Sequence, residues 1–279
     1  MTRKSYNNIF YLYNLLKGCE TYLKILILFF SGVGNTKMVA NKIQSLLLLE
    51  NNITISSIES IRSDLDLTCY DAVVIGFPTI HSAPAKPIIE FVRKLSVLKT
   101  PCPAFIFTTC GLYSTNTLRI FAKEAIAKNI IPIQCKSYRC AATDGSLIAS
   151  FMKVWFKHDK KIIFKIENDT KDFVKLLRGN ATANIPSVKW YSILNYPNKF
   201  FGQRHKFTIY LHNNKCTKCG ECMVNCPTKA IQFNNNRYPT FDMTACINCY
   251  RCIHHCPNKA LSLFRSKTPV KTLDNIEMI

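Results

Sequence analysis

Two runs of the form C-x-x-C-x-x-C-x-x-x-C-P lie about thirty residues apart towards the end of the 279-residue chain. The first is Cys216, Cys219, Cys222 and Cys226 with Pro227; the second is Cys246, Cys249, Cys252 and Cys256 with Pro257. Three thiolates at successive three-residue steps wrap one face of a cubane, and the fourth of each run is left to reach across to the other. The spacing therefore predicts two [4Fe–4S] clusters with crossed ligation. Cys216, Cys219, Cys222 and Cys256 are expected on one cluster, and Cys246, Cys249, Cys252 and Cys226 on the other. Tetrahedral zinc sites also use C-x-x-C, but as two pairs across a longer spacer, and a disulfide framework suits the repeat least. Iron–sulfur clusters carry electrons one at a time.

The repeat extends beyond the ligands. Lys229 and Ala230 match Lys259 and Ala260, and Ile231 matches Leu261. Duplication of this kind predicts a pseudo-two-fold module in which each half completes the other's site. Ile231, Phe233, Leu261 and Leu263 are expected to sheathe the clusters from water. All eight thiolate positions are filled, so His254 and His255 read as surface residues rather than ligands.

The length exceeds one average domain, and a hydrophobic fraction of 48% supports a proper core in the larger of two. Six further cysteines (Cys19, Cys69, Cys102, Cys110, Cys135, Cys140) show no staple-like spacing and read as buried free thiols. With the cluster motif they point to a reducing cytoplasm, that of an anaerobe. Residues 1–22 form an extra segment with a short amphipathic helix expected around Ile9 to Leu16. Lys17, Glu20 and Lys24 interrupt any signal-like apolar region, and ILILFF is too short to span a bilayer; it reads as a buried strand.

The front half alternates strands with helices. Strands are expected at 24–30, 53–58, 70–78, 103–110 and 130–140, and helices at 35–49, 87–95, 115–128 and 169–179. Near-continuous apolar strands in repeated βα units imply an α/β doubly wound parallel sheet. Between the first strand and first helix lies Ser31-Gly32-Val33-Gly34-Asn35-Thr36. Such a loop presents backbone N–H groups and a helix's positive end to a phosphate, with Ser and Thr hydroxyls as further donors. It lacks the G-K-[ST] of nucleotide-binding loops and the full G-x-G-x-x-G, and a tight strand–helix turn is the plain alternative.

Ser31–Thr36 resembles the FMN-phosphate loop of flavodoxins, T/S-x-T-G-x-T. Gly76-Phe77-Pro78-Thr79-Ile80-His81 and Thr109-Cys110-Gly111-Leu112-Tyr113-Ser114 fall where flavodoxin-like folds place their flavin loops, at the carboxyl ends of strands three and four. Followed by the cysteine repeat, the whole order resembles the flavodoxin–ferredoxin fusion proteins of anaerobic bacteria and archaea over most of residues 23–264. The resemblance implies a flavodoxin-like five-stranded parallel sheet over 23–180. An aromatic-rich linker over 181–205 and a small α+β ferredoxin domain over 206–266 would follow, then a tail over 267–279. It implies two [4Fe–4S] clusters and FMN. The flavin would be held by Ser31, Gly32, Val33, Gly34, Asn35, Thr36, Pro78, Thr79, Thr109, Cys110 and Gly111. Tyr113 would stack on its ring, with Phe77 or His81 opposite.

Val33 stands where the family places threonine. Losing a hydrogen bond to a charged group costs about 1.5–3 kcal/mol, so FMN affinity is expected to be about ten- to a hundredfold weaker while the backbone donors remain. The linker aromatics Trp190, Tyr191, Tyr196, Phe200 and Phe201 are expected to pack on a domain surface and hold the flavin near the first cluster.

The formal charge is +20, from 37 Lys and Arg against 17 Asp and Glu. Two oxidised clusters and a flavin phosphate, at about −2 each, leave the loaded protein strongly positive. No nucleic-acid motif accompanies the charge, so acidic redox proteins, or a small electron acceptor, are the expected partners. Neither a nicotinamide-binding motif nor a Ser-His-Asp, Cys-His or paired-carboxylate set is evident. The expected activity is single-electron transfer, as an oxidoreductase or as a carrier; an oxygen sensor, or a ferredoxin with a flavin-free front domain, is the alternative.

Overall fold

The computed structural model describes residues 22–61, 65–144, 147, 158–179, 181–193 and 207–264. The expected helix around Ile9 to Leu16, the linker residues Tyr196, Phe200 and Phe201, and the tail over 267–279 lie outside these residues.

A strand's side chains alternate between faces, so a strand apolar at every position must be covered on both sides. Strand β1 (Lys24–Phe29) does this: Ile25, Ile27 and Phe29 enter one core, and Leu26 and Leu28 the other. It pairs in parallel with β2 (Asn52–Ser57) and β3 (Ala72–Ile80). Beyond β3 follow β5 (Cys102–Cys110) and β6 (Ile130–Arg139), also parallel. The five parallel strands run in the order β2-β1-β3-β5-β6, and the two-residue β4 (Ala83–Pro84) folds back antiparallel on the end of β3. This is the doubly wound order whose ligand crevice lies at the carboxyl ends of β1 and β3.

Helices α1 (Asn35–Leu47) and α4 (Ile162–Arg178) close the first core through Val39, Ile43, Ile166 and Phe173. Helices α2 (Lys86–Lys94) and α3 (Thr117–Ile126) close the second through Ile88, Val92, Leu118 and Phe121. Most boundaries shift from expectation by one or two residues, and two of the differences have a plain reason. Helix α4 starts at Ile162, well before 169, because Ile162 and Ile166 extend its buried face one turn at a time ahead of Thr170 and Phe173. Helix α1 ends at Leu47, and Leu48 and Leu49 turn outwards despite being leucines.

The second module is built from two short antiparallel pairs. Strand β7 (Tyr210–Leu211) meets β10 (Leu261–Ser262), and β8 (Ile231–Phe233) meets β9 (Pro239–Phe241). Single-turn helices α5 (Glu221–Val224) and α6 (Arg251–His254) occupy matching places in the two cysteine runs. The duplication persists in the backbone. Lys218 and Asn248, Gly220 and Tyr250, and Lys229 and Lys259 all adopt positive φ at equivalent positions.

Gly76 of β3 lies opposite Phe107 of β5, and a Cβ there would fall 2.1 Å from the Phe107 ring. Phe107 is wholly buried and packs on Phe105 and Tyr138, so it has nowhere to retreat. Gly76→Ala is expected to lose about 1–3 kcal/mol by overpacking, read as a lower midpoint in denaturant unfolding of the flavin-free protein.

Candidate cofactor sites

The eight cysteines of the two runs converge on two cavities. Cys216, Cys219, Cys222 and Cys256 line one of about 360 Å³; Cys226, Cys246, Cys249 and Cys252 line one of about 370 Å³. The walls are otherwise largely apolar: Leu211, Phe233, Pro239 and Leu261 around the first, Ile209, Ile231, Phe241 and Ile247 around the second.

The left-handed residues are the local device that turns the thiols inwards. A non-glycine residue held there costs about 1–3 kcal/mol and persists only where its surroundings enforce it. Both runs also aim backbone donors at sulfur: Ala230 N–H to Cys226 Sγ and Ala260 N–H to Cys256 Sγ, each at 3.2 Å, and Asn248 N–H to Cys246 Sγ at 3.4 Å. Four soft thiolate donors, N–H···S bonds and an apolar wall are the environment a cubane cluster needs. Without metal, burial pushes the Cys222 and Cys249 thiols up to about 11, so cluster assembly must expel their protons.

The third cavity, about 490 Å³, opens at the carboxyl ends of the parallel strands. Its wall includes Ser31, Gly32, Val33, Asn35, Thr36, Pro78, Thr79, Thr109, Cys110 and Gly111. Ser31 Oγ accepts from Gly34 N–H at 3.0 Å, and Gly34, at φ 116°, turns the chain into α1. The first N–H groups of that helix have no intrahelical acceptor. Among the described residues, none accepts from the N–H of Gly32 or Val33 either.

The Thr36 and Thr109 hydroxyls, both buried, meet at 2.8 Å; one proton serves that bond and the other remains for a ligand. Asn35 Nδ2 donates to Ala141 O at 2.7 Å, leaving its buried Oδ1 without a donor among the described residues. At Gly111 a Cβ would come within 2.4 Å of Ala142 Cβ, so these two loops meet this closely only because residue 111 is glycine. Amides and hydroxyls for a phosphate, with an orphan acceptor suited to a polyol hydroxyl, fit FMN.

Several side chains do not sit where sequence reasoning puts them. Phe77 is wholly buried against Phe121, at 4.3 Å between centroids, because β3 turns it into the core; it has no face left for a flavin. Tyr113 is 65% exposed, does not line the cavity and meets Tyr191 edge-on. His254, expected at the surface, is fully buried with Nε2 3.1 Å from Thr143 O, whereas His255 is exposed. The described part of the linker packs on the first domain. Asn116 accepts from Lys189 N–H, Arg119 donates to Pro186 O, and Asn184 N–H donates to Pro132 O.

Sequence reasoning missed the fourth wall. Ala141, Ala142, Thr143 and Asp144 follow β6 into the cavity, as the rule of strand carboxyl ends would have suggested. Cys249, from the second cysteine run, lines this cavity as well as its own. No sequence signal announces that contact.

Residues 26–173, more than half of the chain, match the flavodoxin domain family. The chain belongs to that family. Residues 205–260 match a 4Fe-4S dicluster domain. A 77-residue stretch is 32% identical to pyruvate synthase subunit PorD of Pyrococcus horikoshii, covering 28% of this chain and 67% of that protein. Among solved structures, a flavodoxin from the Archaea (TM-score 0.41, 14% identity) covers 56% of this chain and all of that one. Rubredoxin oxygen:oxidoreductase from Desulfovibrio gigas (TM-score 0.43, 10% identity) also covers 56%, over 36% of its own length. The flavodoxin domain thus precedes a dicluster ferredoxin domain, and the cofactors are two [4Fe–4S] clusters and FMN. Electron transfer is the chemistry of this pair. Among the described residues, no helix is long and apolar enough to cross a membrane.

Outside the clusters the thiols of this flavodoxin domain divide by exposure. Cys69 is exposed and Cys135 half-buried, while burial pushes Cys110 up to about 11 and Cys102 up to about 12. Iodoacetamide at pH 8 is expected to label Cys69 within minutes and spare Cys102 and Cys110, by peptide mass mapping of the cluster-loaded protein.

Proposed function

We propose that this protein relays single electrons between two [4Fe–4S] clusters in residues 206–266 and an FMN held by residues 23–180. The observation that carries the reading is the shared wall: Cys249 borders both the second thiolate cavity and the phosphate-loop cavity. The clusters exchange one electron each and FMN one or two. In this reading Cys216, Cys219, Cys222 and Cys256 ligate one cluster and Cys226, Cys246, Cys249 and Cys252 the other, supported by the cavity each set lines.

Ser31 to Thr36 bind the flavin phosphate, with Val33 in place of a hydroxyl donor. Pro78, Thr79, Thr109, Cys110 and Gly111 wall in the rest of the flavin, with Tyr113 at the rim.

The two cluster sites differ in exposure. Cys219 is exposed at the first, beside Lys218, which lies over the Tyr238 ring at 4.2 Å, with Lys215 exposed nearby in sequence. Cys252 is buried at the second. Electrons would enter or leave through the first cluster, from an acidic protein partner attracted by the basic surface, in the cytoplasm. Such docking weakens with salt, whereas direct reduction of a small acceptor does not follow that dependence, and this separates carrier from oxidoreductase.

Anaerobically purified protein is expected to contain about eight irons and one FMN per chain. Eight irons without flavin, even after FMN is added, would sink the relay. The double variant C219S/C256S removes two ligands of one cluster if ligation is crossed and one from each if it is not. About four irons should remain, and loss of all iron would refute the crossing.

A further inference from the structure

The two halves of the ferredoxin domain share one backbone path but not one surface. Glu221 and Val224 of α5 correspond to Arg251 and His254 of α6. Val224 is 78% exposed, whereas His254 is buried against Thr143 of the flavin-pocket wall. Arg251 reaches the phosphate loop itself. Its Nε donates to Gly32 O at 2.9 Å and one terminal nitrogen to Ser31 O at 2.6 Å. Glu59 receives both terminal nitrogens at 2.8 Å, and Asn225 O takes the last donor at 2.9 Å.

In a trans peptide the C=O and N–H point in opposite directions. Drawing the Ser31 and Gly32 carbonyls towards Arg251 therefore turns the N–H groups of Gly32 and Val33 away from it. Those N–H groups belong to the loop that walls the cavity, and among the described residues no lysine or arginine lines it. A dianionic phosphate there must be met largely by backbone donors, beside the one spare Thr36–Thr109 hydroxyl proton, because residue 33 contributes no hydroxyl. A carbonyl bonded to a cation also polarises its peptide, which strengthens the N–H on the far side.

We propose that Arg251 of the ferredoxin domain is a positioning residue for the flavin phosphate, orienting the Gly32 and Val33 amides from behind the loop. Phosphate affinity in the flavodoxin domain thereby depends on a side chain of the ferredoxin domain, and takes over part of what the missing hydroxyl at 33 would supply. This rests on the reading that the cavity holds FMN.

The test compares FMN with riboflavin, which lacks the phosphate, by fluorescence quenching on cluster-loaded full-length protein with iron and sulfide content verified. Arg251→Gln is expected to weaken FMN about tenfold and leave riboflavin within about twofold, with Arg251→Lys falling between. Unchanged FMN affinity in Arg251→Gln overturns the inference. So does an equal loss for both flavins, which would make Arg251 only a clip between domains. If Arg251→Gln does not assemble its clusters, Arg251→Lys decides by the same FMN-to-riboflavin ratio. Wild-type protein that binds neither flavin overturns the flavin reading itself, and the inference with it.

Discussion

A guanidinium has five N–H donors, and once it is buried between two domains each of them needs an acceptor. Arg251 finds all five: two carbonyls of the phosphate loop, both oxygens of Glu59 and the carbonyl of Asn225. Its side chain is only 12% exposed, and Phe30 packs 5.6 Å from its centre. Removing its acceptors would leave the mostly buried guanidinium a poorly compensated charge, whereas Glu59 itself faces solvent. The bond set therefore fixes one relative placement of the two cysteine runs and the flavodoxin sheet. Around it, Ile247 packs on the flavodoxin core and Leu147 on the ferredoxin core.

That placement breaks a symmetry that the polypeptide otherwise keeps. The two cysteine runs share their left-handed positions, their N–H···S bonds and their single-turn helices. An isolated pseudo-two-fold module would offer two equivalent faces to a partner. Here one face carries Arg251 and His254 and is spent on the flavodoxin domain, and the other carries Glu221 and Val224 and remains outside. The electron path proposed above acquires a direction in space from these few side chains and from the exposure they leave to the first cluster site.

Sequence reasoning was strongest where chemistry demands a fixed spacing or an unbroken run. The cysteine steps and the apolar strands at Ile25–Phe29, Ala72–Phe77 and Cys102–Phe107 are of this kind. It was weaker where a residue's fate depends on a neighbour distant in sequence. Phe77 and Tyr113 both belong to the expected flavin loops, yet the pleat of β3 sends the first into the core and the second lies on the surface against Tyr191. His254 looked like surface because its run already supplied every ligand; Thr143 from another domain buries it. The start of α4 was hidden because Ile162 and Ile166 lie in a lysine-rich stretch whose apolar face shows only at helical spacing.

The two cluster motifs, the doubly wound sheet and the phosphate loop with its valine are legible in the amino-acid order alone, because each is a local pattern enforced by ligand geometry or strand burial. Which cysteine run meets the flavin cavity, and which arginine stands behind the phosphate loop, is settled by the packing of the folded domains. Glu59 and Arg251 are 192 residues apart. Nothing in either stretch marks it for the other, since an ion pair across domains is specified by where two folded surfaces come to rest.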